Sequence, residues 1–161
     1  MRRKDKQISD RRQAEEIIAQ AQVCRLAMVD GDRPYVVPLC FGYDGHSFFF
    51  HSAPEGRKID LLRRNPRVCI ELEAGCEVIS ADSPCNWSMR YASILAVGKA
   101  AFVEDPAAKR EALGRIMAQY GADAVEFSDN QVARTAVIQV AVDQLSVKGS
   151  GLRPDAARSA T

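Results

Sequence analysis

The sequence predicts a mainly β protein with flanking helices, in which six antiparallel strands form a closed or nearly closed barrel. Three observations lead to this fold class. Short apolar runs alternate with turns that contain glycine or proline, consecutive strand signals are joined by tight turns, and helical spacing of apolar residues is confined to a few segments. The predicted order along the chain is α-β-β-β-α-β-β-α-β.

The first half of the chain predicts a helix followed by a three-stranded meander. The helix begins after a cap at Ser9 or Asp10 and repeats apolar residues at helical spacing. Strands are predicted over residues 24–29, 34–43 and 46–53. Gly31 and Gly45 lie in the two intervening turns, where glycine most readily adopts the positive φ that such turns require. We therefore expect these three strands to pair in chain order.

The second half alternates helices and strands. A short helix over 57–65 ends before Pro66, a fourth strand follows over 67–73, and a turn-rich loop covers 75–86. A long fifth strand is predicted over 91–103. Asp105 and Pro106 then begin a helix that ends at Gly121, and a sixth strand covers 133–142. The folded domain is predicted to span residues 1–148, and the small, polar segment 149–161 is predicted to form a flexible tail.

Composition and net charge indicate which kinds of partner and which cellular compartment to expect. The chain has 161 residues and a formal net charge of +1. Because neither sign of charge dominates, we expect no nucleic acid and no acidic membrane as a partner, and the apolar runs are too short to span a bilayer. The five cysteines include no C-x-x-C pair, so we expect free thiols in a reducing cytoplasm rather than a disulfide framework.

The stretch from Phe48 to Lys58 carries the clearest chemical signal. A strand runs into a short loop that opens a helix, and Arg57 and Lys58 occupy the first turn of that helix. Cations there oppose the helix dipole at a cost of a few tenths to about 1 kcal/mol each, and a bound anion removes the conflict. Free backbone N–H groups, both cations and the Ser52 hydroxyl would then converge on a phosphate. The alternative is that both cations point into solvent.

Two further residues allow two interpretations each. His51 shares a strand face with Phe49 and is either a structural residue or a functional one beside the anion site. Pro38 cannot donate to a strand ladder, so it belongs at an edge or a bulge, where the neighbouring backbone faces either a planar heterocycle or solvent. We expect no metal site, because His46 and His51 have no carboxylate or cysteine at a typical ligand spacing.

Three segments together resemble the pyridoxamine-5'-phosphate-oxidase-like proteins. Residues 33–45 read RPYVVPLCFGYDG, and residues 49–69 contain FFHSA, GRK, LL and NPRVC. Residues 87–100 contain WSMRYAS and GKA, which resemble in particular the branch of 5-nitroimidazole resistance (Nim) proteins. The resemblance covers roughly residues 1–148, and its motifs are specific as a set although each is weak alone.

The resemblance implies a six-stranded split barrel that binds FMN at the two-fold interface of a homodimer. It implies that Arg57 and Lys58 hold the flavin phosphate. It also implies that the backbone at Val37, Pro38 and Leu39 runs beside the isoalloxazine ring.

The same resemblance places His51 and Ser52 near the flavin, and Tyr91 and Ser93 on a long strand that reaches the flavin from the other subunit. It implies an FMN-dependent oxidoreductase that takes electrons from a small donor and passes them to a small acceptor, such as a nitroaromatic compound. His51 is the candidate catalytic proton donor, since an imidazole can supply a proton near neutral pH.

One departure and two alternatives limit this expectation. True pyridoxamine phosphate oxidases carry a C-terminal motif with arginine and histidine that grips the substrate phosphate, and residues 144–149 contain nothing comparable. We therefore do not expect vitamin B6 synthesis. One alternative is a non-enzymatic flavin-binding module. The other is a pocket for haem or a deazaflavin, in which His46 or His51 would be the axial ligand of a haem.

Overall fold

Eight strands and four helices make up the part of the chain that the structure describes. The computed structural model describes residues 7–150. In chain order the elements are β1 (Gln7–Ile8), α1 (Arg11–Gln20), β2 (Cys24–Asp30), β3 (Arg33–Leu39), β4 (Gly42–Tyr43), β5 (Ser47–Ser52), α2 (Arg57–Arg64), β6 (Arg67–Ile79), β7 (Ser88–Val103), α3 (Pro106–Gln119), α4 (Asp129–Ala133) and β8 (Ala136–Ser150). A short 3₁₀ turn, Pro84–Asn86, precedes β7.

The strands form one antiparallel sheet, which confirms the mainly β prediction. Neighbouring strands follow the order β3-β2-β6-β7-β8-β5-β4, and β1 pairs with β8. This path is open, with β3 and β4 at its ends, so the hydrogen-bonded sheet is not closed. The predicted count of six is not confirmed, because β1 and β4 add two strands of two residues each to the six longer ones.

The predicted strand over residues 34–43 is in fact two strands at opposite ends of the sheet. β3 pairs with β2, whereas β4 pairs with β5, and β5 pairs with β8 rather than with β3. At the break, the Phe41 backbone N–H donates to the Tyr120 hydroxyl at 3.1 Å. Gly42 then passes so close to α3 that a Cβ would lie 2.7 Å from the Arg115 backbone. The predicted meander is wrong because these contacts with α3 redirect the chain.

The long strands extend beyond their predicted bounds. β6 continues to Ile79 through a register shift between Ala74 and Glu77, so the first part of the predicted loop over 75–86 is strand. β8 begins at Ala136 and runs through Ser150, two residues past the predicted end of the domain. The rest of the predicted tail, residues 151–161, and residues 1–6 lie outside the described residues.

Strand β5 separates two apolar clusters. The fully buried side chains of Phe48 and Phe50 belong to the main core, to which α1 and α2 also contribute, whereas Phe49 packs with α3 in a second, smaller cluster. Each fully buried phenylalanine contributes roughly 1.5–3 kcal/mol of hydrophobic stabilisation. Because side chains alternate along a strand, His51 lies on the same face as Phe49.

Candidate functional site

The turn between β5 and α2 places the predicted phosphate-binding residues at one end of the sheet. Gly56 precedes α2 with a φ of 122°, in the region that favours glycine. A Cβ at Gly56 would meet no atom within 4 Å, so the backbone angle rather than space requires glycine. Three side chains of α2, Ile59, Leu61 and Leu62, are buried in the main core and fix where the helix begins.

The N-terminus of α2 offers backbone donors to a ligand. The first N–H groups of an α-helix have no partner within the helix, and no side chain caps this one. Arg57 and Lys58 add two positive charges in the first turn, where Asp60 is the acidic residue. Uncapped N–H groups beside two cations favour the binding of an anion.

Lys58 is half-buried and has no counter-ion in residues 7–150. No carboxylate of the described chain forms an ion pair with its ammonium, and burial lowers the pKa of that group. A desolvated cation without a partner is unfavourable, and a nearby anion relieves that penalty. Among the predicted site residues, Lys58 is the one whose environment most directly favours a bound anion.

Arg57 has a different environment, although its side chain is 57% exposed. Its Nε and Nη2 atoms donate to the Asp30 carboxylate at 3.2 and 2.9 Å, and its guanidinium carbon lies 4.6 Å from the centroid of the Tyr35 ring. Arg64 donates to the other oxygen of Asp30 at 3.2 Å. The pKa of Asp30 is lowered, chiefly by the hydrogen bond from Arg57. Arg57 therefore does not simply point into solvent.

His51 and Ser52 are the last two residues of β5, so they lie at the α2 end of the sheet. His51 is exposed and lies opposite Val137 of β8, whereas Ser52 is half-buried. Within the described chain, neither residue is hydrogen-bonded to Arg57 or Lys58. The exposed His51 side chain is accessible to a molecule bound at the α2 end.

Val37, Pro38 and Leu39 lie on β3, which is an edge strand as Pro38 predicts. Val37 and Leu39 pack against the main core, whereas Pro38 is exposed. β3 begins at the hairpin that follows Asp30, and Tyr35 lies next to Arg57. The strand therefore extends away from the α2 end with one edge unpaired in the described sheet.

Tyr91 and Ser93 lie toward the opposite end of the sheet. Cys24, where β2 begins, pairs with Leu72, and Leu72 pairs with Ile94. Asp30, the partner of Arg57, is where β2 ends. Within one chain the structure therefore does not bring Tyr91 and Ser93 together with the cations of α2. Both residues are half-buried, and the Lys148 ammonium lies 5.6 Å from the centroid of the Tyr91 ring.

Sequence reasoning missed Asp30, Tyr35 and Arg64 as members of this site. Asp30 was interpreted only as part of a turn, and no local pattern indicates that it meets α2. A signal for Arg64 was present, because Arg57 and Arg64 are seven residues apart and positions at i and i+7 share one face of a helix.

Residues 7–150 provide neither a metal-binding cluster nor a membrane-spanning helix. No three His, Cys, Asp or Glu side chains among residues 7–150 cluster closely enough to hold a metal ion. No helix within the same range combines the length and the apolar character needed to cross a membrane.

Comparison with known proteins gives a family match and close structural neighbours. The family model described as pyridoxamine 5'-phosphate oxidase matches residues 10–149. A proposed 5-nitroimidazole antibiotic resistance protein from Bacteroides thetaiotaomicron VPI-5482 has a similar structure, with a TM-score of 0.80 and 40% identity over 89% of this chain and 86% of that chain. An FAD- and haem-binding protein from Mycobacterium smegmatis has a TM-score of 0.82 and 22% identity, covering 93% of this chain and 76% of that chain.

A protein of uncharacterised function from Rhizobium meliloti (strain 1021) is a further relative. It is 32% identical over 65 residues, which is 40% of this chain. The aligned region spans 42% of the relative's length.

Proposed function

This chain belongs to the pyridoxamine 5'-phosphate oxidase family, and we propose that it is a flavin-binding protein whose cofactor is FMN. The observation that carries the proposal is the half-buried Lys58, which has no counter-ion within residues 7–150 and lies in the first turn of an uncapped helix. A phosphate monoester supplies the negative charge that Lys58 lacks and accepts hydrogen bonds from the free N–H groups of α2.

The other residues of the site fit the rest of the cofactor. Arg57 uses two donors on Asp30 and keeps donors on the other edge of its guanidinium for the phosphate. The isoalloxazine ring, which is planar, would lie beside the edge of β3 at Val37, Pro38 and Leu39, which is unpaired in the described sheet. The similarity in fold to an FAD- and haem-binding protein supports the proposal of a flavin cofactor.

We propose further that the six longer strands form a split barrel and that two copies of the chain form a homodimer with FMN at the interface. Tyr91 and Ser93, too distant from α2 within one chain, would then approach the flavin of the partner copy. The same end of the sheet exposes Val78, Trp87 and Met89. Apolar side chains grouped on the surface are typical of protein interfaces.

The proposed reaction is an FMN-dependent transfer of electrons from a small donor to a small acceptor in the cytoplasm. The bound flavin would supply the redox chemistry, and the protein would bind and orient it. His51 would hold a proton at its imidazole for delivery to the acceptor. A nitroaromatic acceptor is proposed because the 40% identical structural neighbour is a proposed 5-nitroimidazole resistance protein.

The absorbance spectrum of the purified protein tests the cofactor, and turnover of a reduced nicotinamide with a nitroaromatic acceptor tests the reaction. Flavin absorbance with turnover supports the full proposal. Flavin absorbance without turnover of any small acceptor leaves a non-enzymatic flavin-binding module. A haem absorbance spectrum that disappears in His46→Ala or His51→Ala would identify the cofactor as haem rather than FMN and would contradict the proposal.

A further inference from the structure

The Asp30 carboxylate links two arginines of α2 to the hairpin between β2 and β3. Its Oδ2 atom accepts both hydrogen bonds from Arg57, and its Oδ1 atom accepts the one from Arg64. The two oxygens thus serve different arginines, and the group of three side chains keeps one net positive charge. An anion that approaches Arg57 is therefore attracted by the group rather than repelled by Asp30.

Arg57 is held in one place by two hydrogen bonds and one contact with an aromatic ring. Nε and Nη2 form a two-point contact with one carboxylate oxygen, which sets the direction of the guanidinium. The Tyr35 ring, at 4.6 Å, supports the flat face of the same group. These contacts leave the edge that carries Nη1 free of carboxylate partners in the described chain. An arginine is otherwise a flexible side chain, and the ordering that ligand binding would demand is already present here.

We infer that Asp30 is a positioning residue for the phosphate site, which holds Arg57 against Tyr35 so that the free edge of its guanidinium receives the phosphate of the flavin. This inference rests on the proposed function, since it assumes a phosphate-bearing flavin at α2. It assigns to Asp30 a part of the preference for a phosphorylated flavin over an unphosphorylated one, although Asp30 bears the same charge sign as the ligand.

The test compares the dissociation constants of FMN and riboflavin, which differ only in the phosphate. Asp30→Asn removes the charge and keeps the shape, and we expect it to reduce the preference for FMN over riboflavin on the order of fivefold, with riboflavin affinity unchanged. In an Arg57→Ala background the same substitution should have no further effect. The matched control is Asp32→Asn, because the Asp32 carboxylate lies in the same hairpin and is 96% exposed. We expect that control to preserve the preference.

Four outcomes overturn the inference. An unchanged or increased preference for FMN in Asp30→Asn shows that Asp30 does not position Arg57 for the phosphate. An equal loss of FMN and riboflavin affinity shows a structural role, as does a full effect in the Arg57→Ala background. If the wild-type protein binds both flavins equally, the proposed phosphate site fails together with this inference, whereas the other three results leave that site intact.

Discussion

The two ends of the sheet differ in whether a single chain brings the residues of a proposed site together. At the α2 end, β2, β5 and α2 bring together Asp30, Arg57 and Lys58, and burial of the apolar side of α2 holds the arrangement in place. At the opposite end, β6 and β7 continue beyond the rest of the sheet and expose Trp87, which is 57% accessible, beside other apolar side chains. One end carries the charged groups of the proposed phosphate site, and the other exposes apolar side chains.

The family resemblance implies both a phosphate anchor and a flavin contact from a second copy of the chain. The difference between the two ends allows these two proposals to be considered separately. The phosphate anchor can be examined in a single chain, because Arg57 and Lys58 follow one another in α2 and Arg57 contacts Asp30 there. The proposed role of Tyr91 and Ser93 depends on a second copy, because those residues lie at the far end of the sheet. Experiments that perturb one end at a time therefore test the two claims independently.

The largest expected effect concerns the imidazole at the α2 end. His51→Ala should reduce turnover of a small acceptor by about a hundredfold or more, since a positioned general acid contributes at least that much, while FMN stays bound. Steady-state assays with reduced nicotinamide measure this loss. His46→Ala is the control, because His46 lies just before the opposite end of β5. Equal loss in both variants, or release of FMN from His51→Ala, would refute the assignment of His51 as proton donor.

The next largest effect concerns the anchor itself. Lys58→Ala should weaken FMN binding roughly 10- to 100-fold, the range for losing one hydrogen bond to a charged group, and leave riboflavin binding nearly unchanged. Fluorescence titration with both flavins measures the two constants. Lys99→Ala removes an exposed ammonium of β7 and serves as the control. A similar loss of FMN affinity in both variants would mean that FMN binding depends only on the overall charge of the protein and not on Lys58 in particular.

A third prediction concerns the opposite end of the sheet. We expect the wild-type protein to sediment as a dimer, and Trp87→Asp to weaken that dimer about 30-fold or more, because a buried tryptophan is a typical hot spot of an interface. Val125→Asp alters an exposed apolar residue outside the sheet and should leave the dimer intact. Sedimentation velocity over a range of concentrations measures both. A monomeric wild type, or a Trp87→Asp variant that dimerises normally, contradicts this use of the β6–β7 end.

The smallest expected effect is a pH dependence that arises from Lys58. Its ammonium binds phosphate only when protonated, and burial lowers its pKa, so FMN affinity is full below that pKa and falls as the pH rises through it. The decrease in FMN affinity should begin at a lower pH than it would if the lysine were fully exposed. Titrations in a pH series measure it, and Lys58→Arg should abolish it because a guanidinium stays charged. The same profile in Lys58→Arg would assign the pH dependence to another group.

Local sequence patterns correctly predicted those elements whose ends depend on residues close together in the chain. Asp105 and Pro106 begin α3 as predicted, and the hairpin at Gly31 joins β2 to β3. A further local signal was overlooked, because Ser128 and Gln131 form a capping box that starts α4.

The break after β3 could not be predicted in the same way. It depends on a hydrogen bond between Phe41 and Tyr120, 79 residues apart in the chain, and on the close approach of Gly42 to α3. The same holds for the pairing of Asp30 with Arg57, which joins a turn to a helix that follows an intervening hairpin. Charge and spacing indicated that α2 attracts an anion, but only tertiary structure shows that Arg57 pairs with Asp30 whereas Lys58 has no counter-ion within residues 7–150.

A titration of the purified protein with FMN and riboflavin, preceded by an absorbance spectrum, tests whether α2 holds a flavin phosphate. It is carried out on the wild type and on the Arg57→Ala/Lys58→Ala double variant. If α2 holds the flavin phosphate, we expect flavin absorbance, a clear preference of the wild type for FMN, and loss of that preference in the double variant with its fold retained. A wild type that binds no flavin, or a double variant that still prefers FMN, would contradict the assignment of the α2 end as a flavin phosphate site.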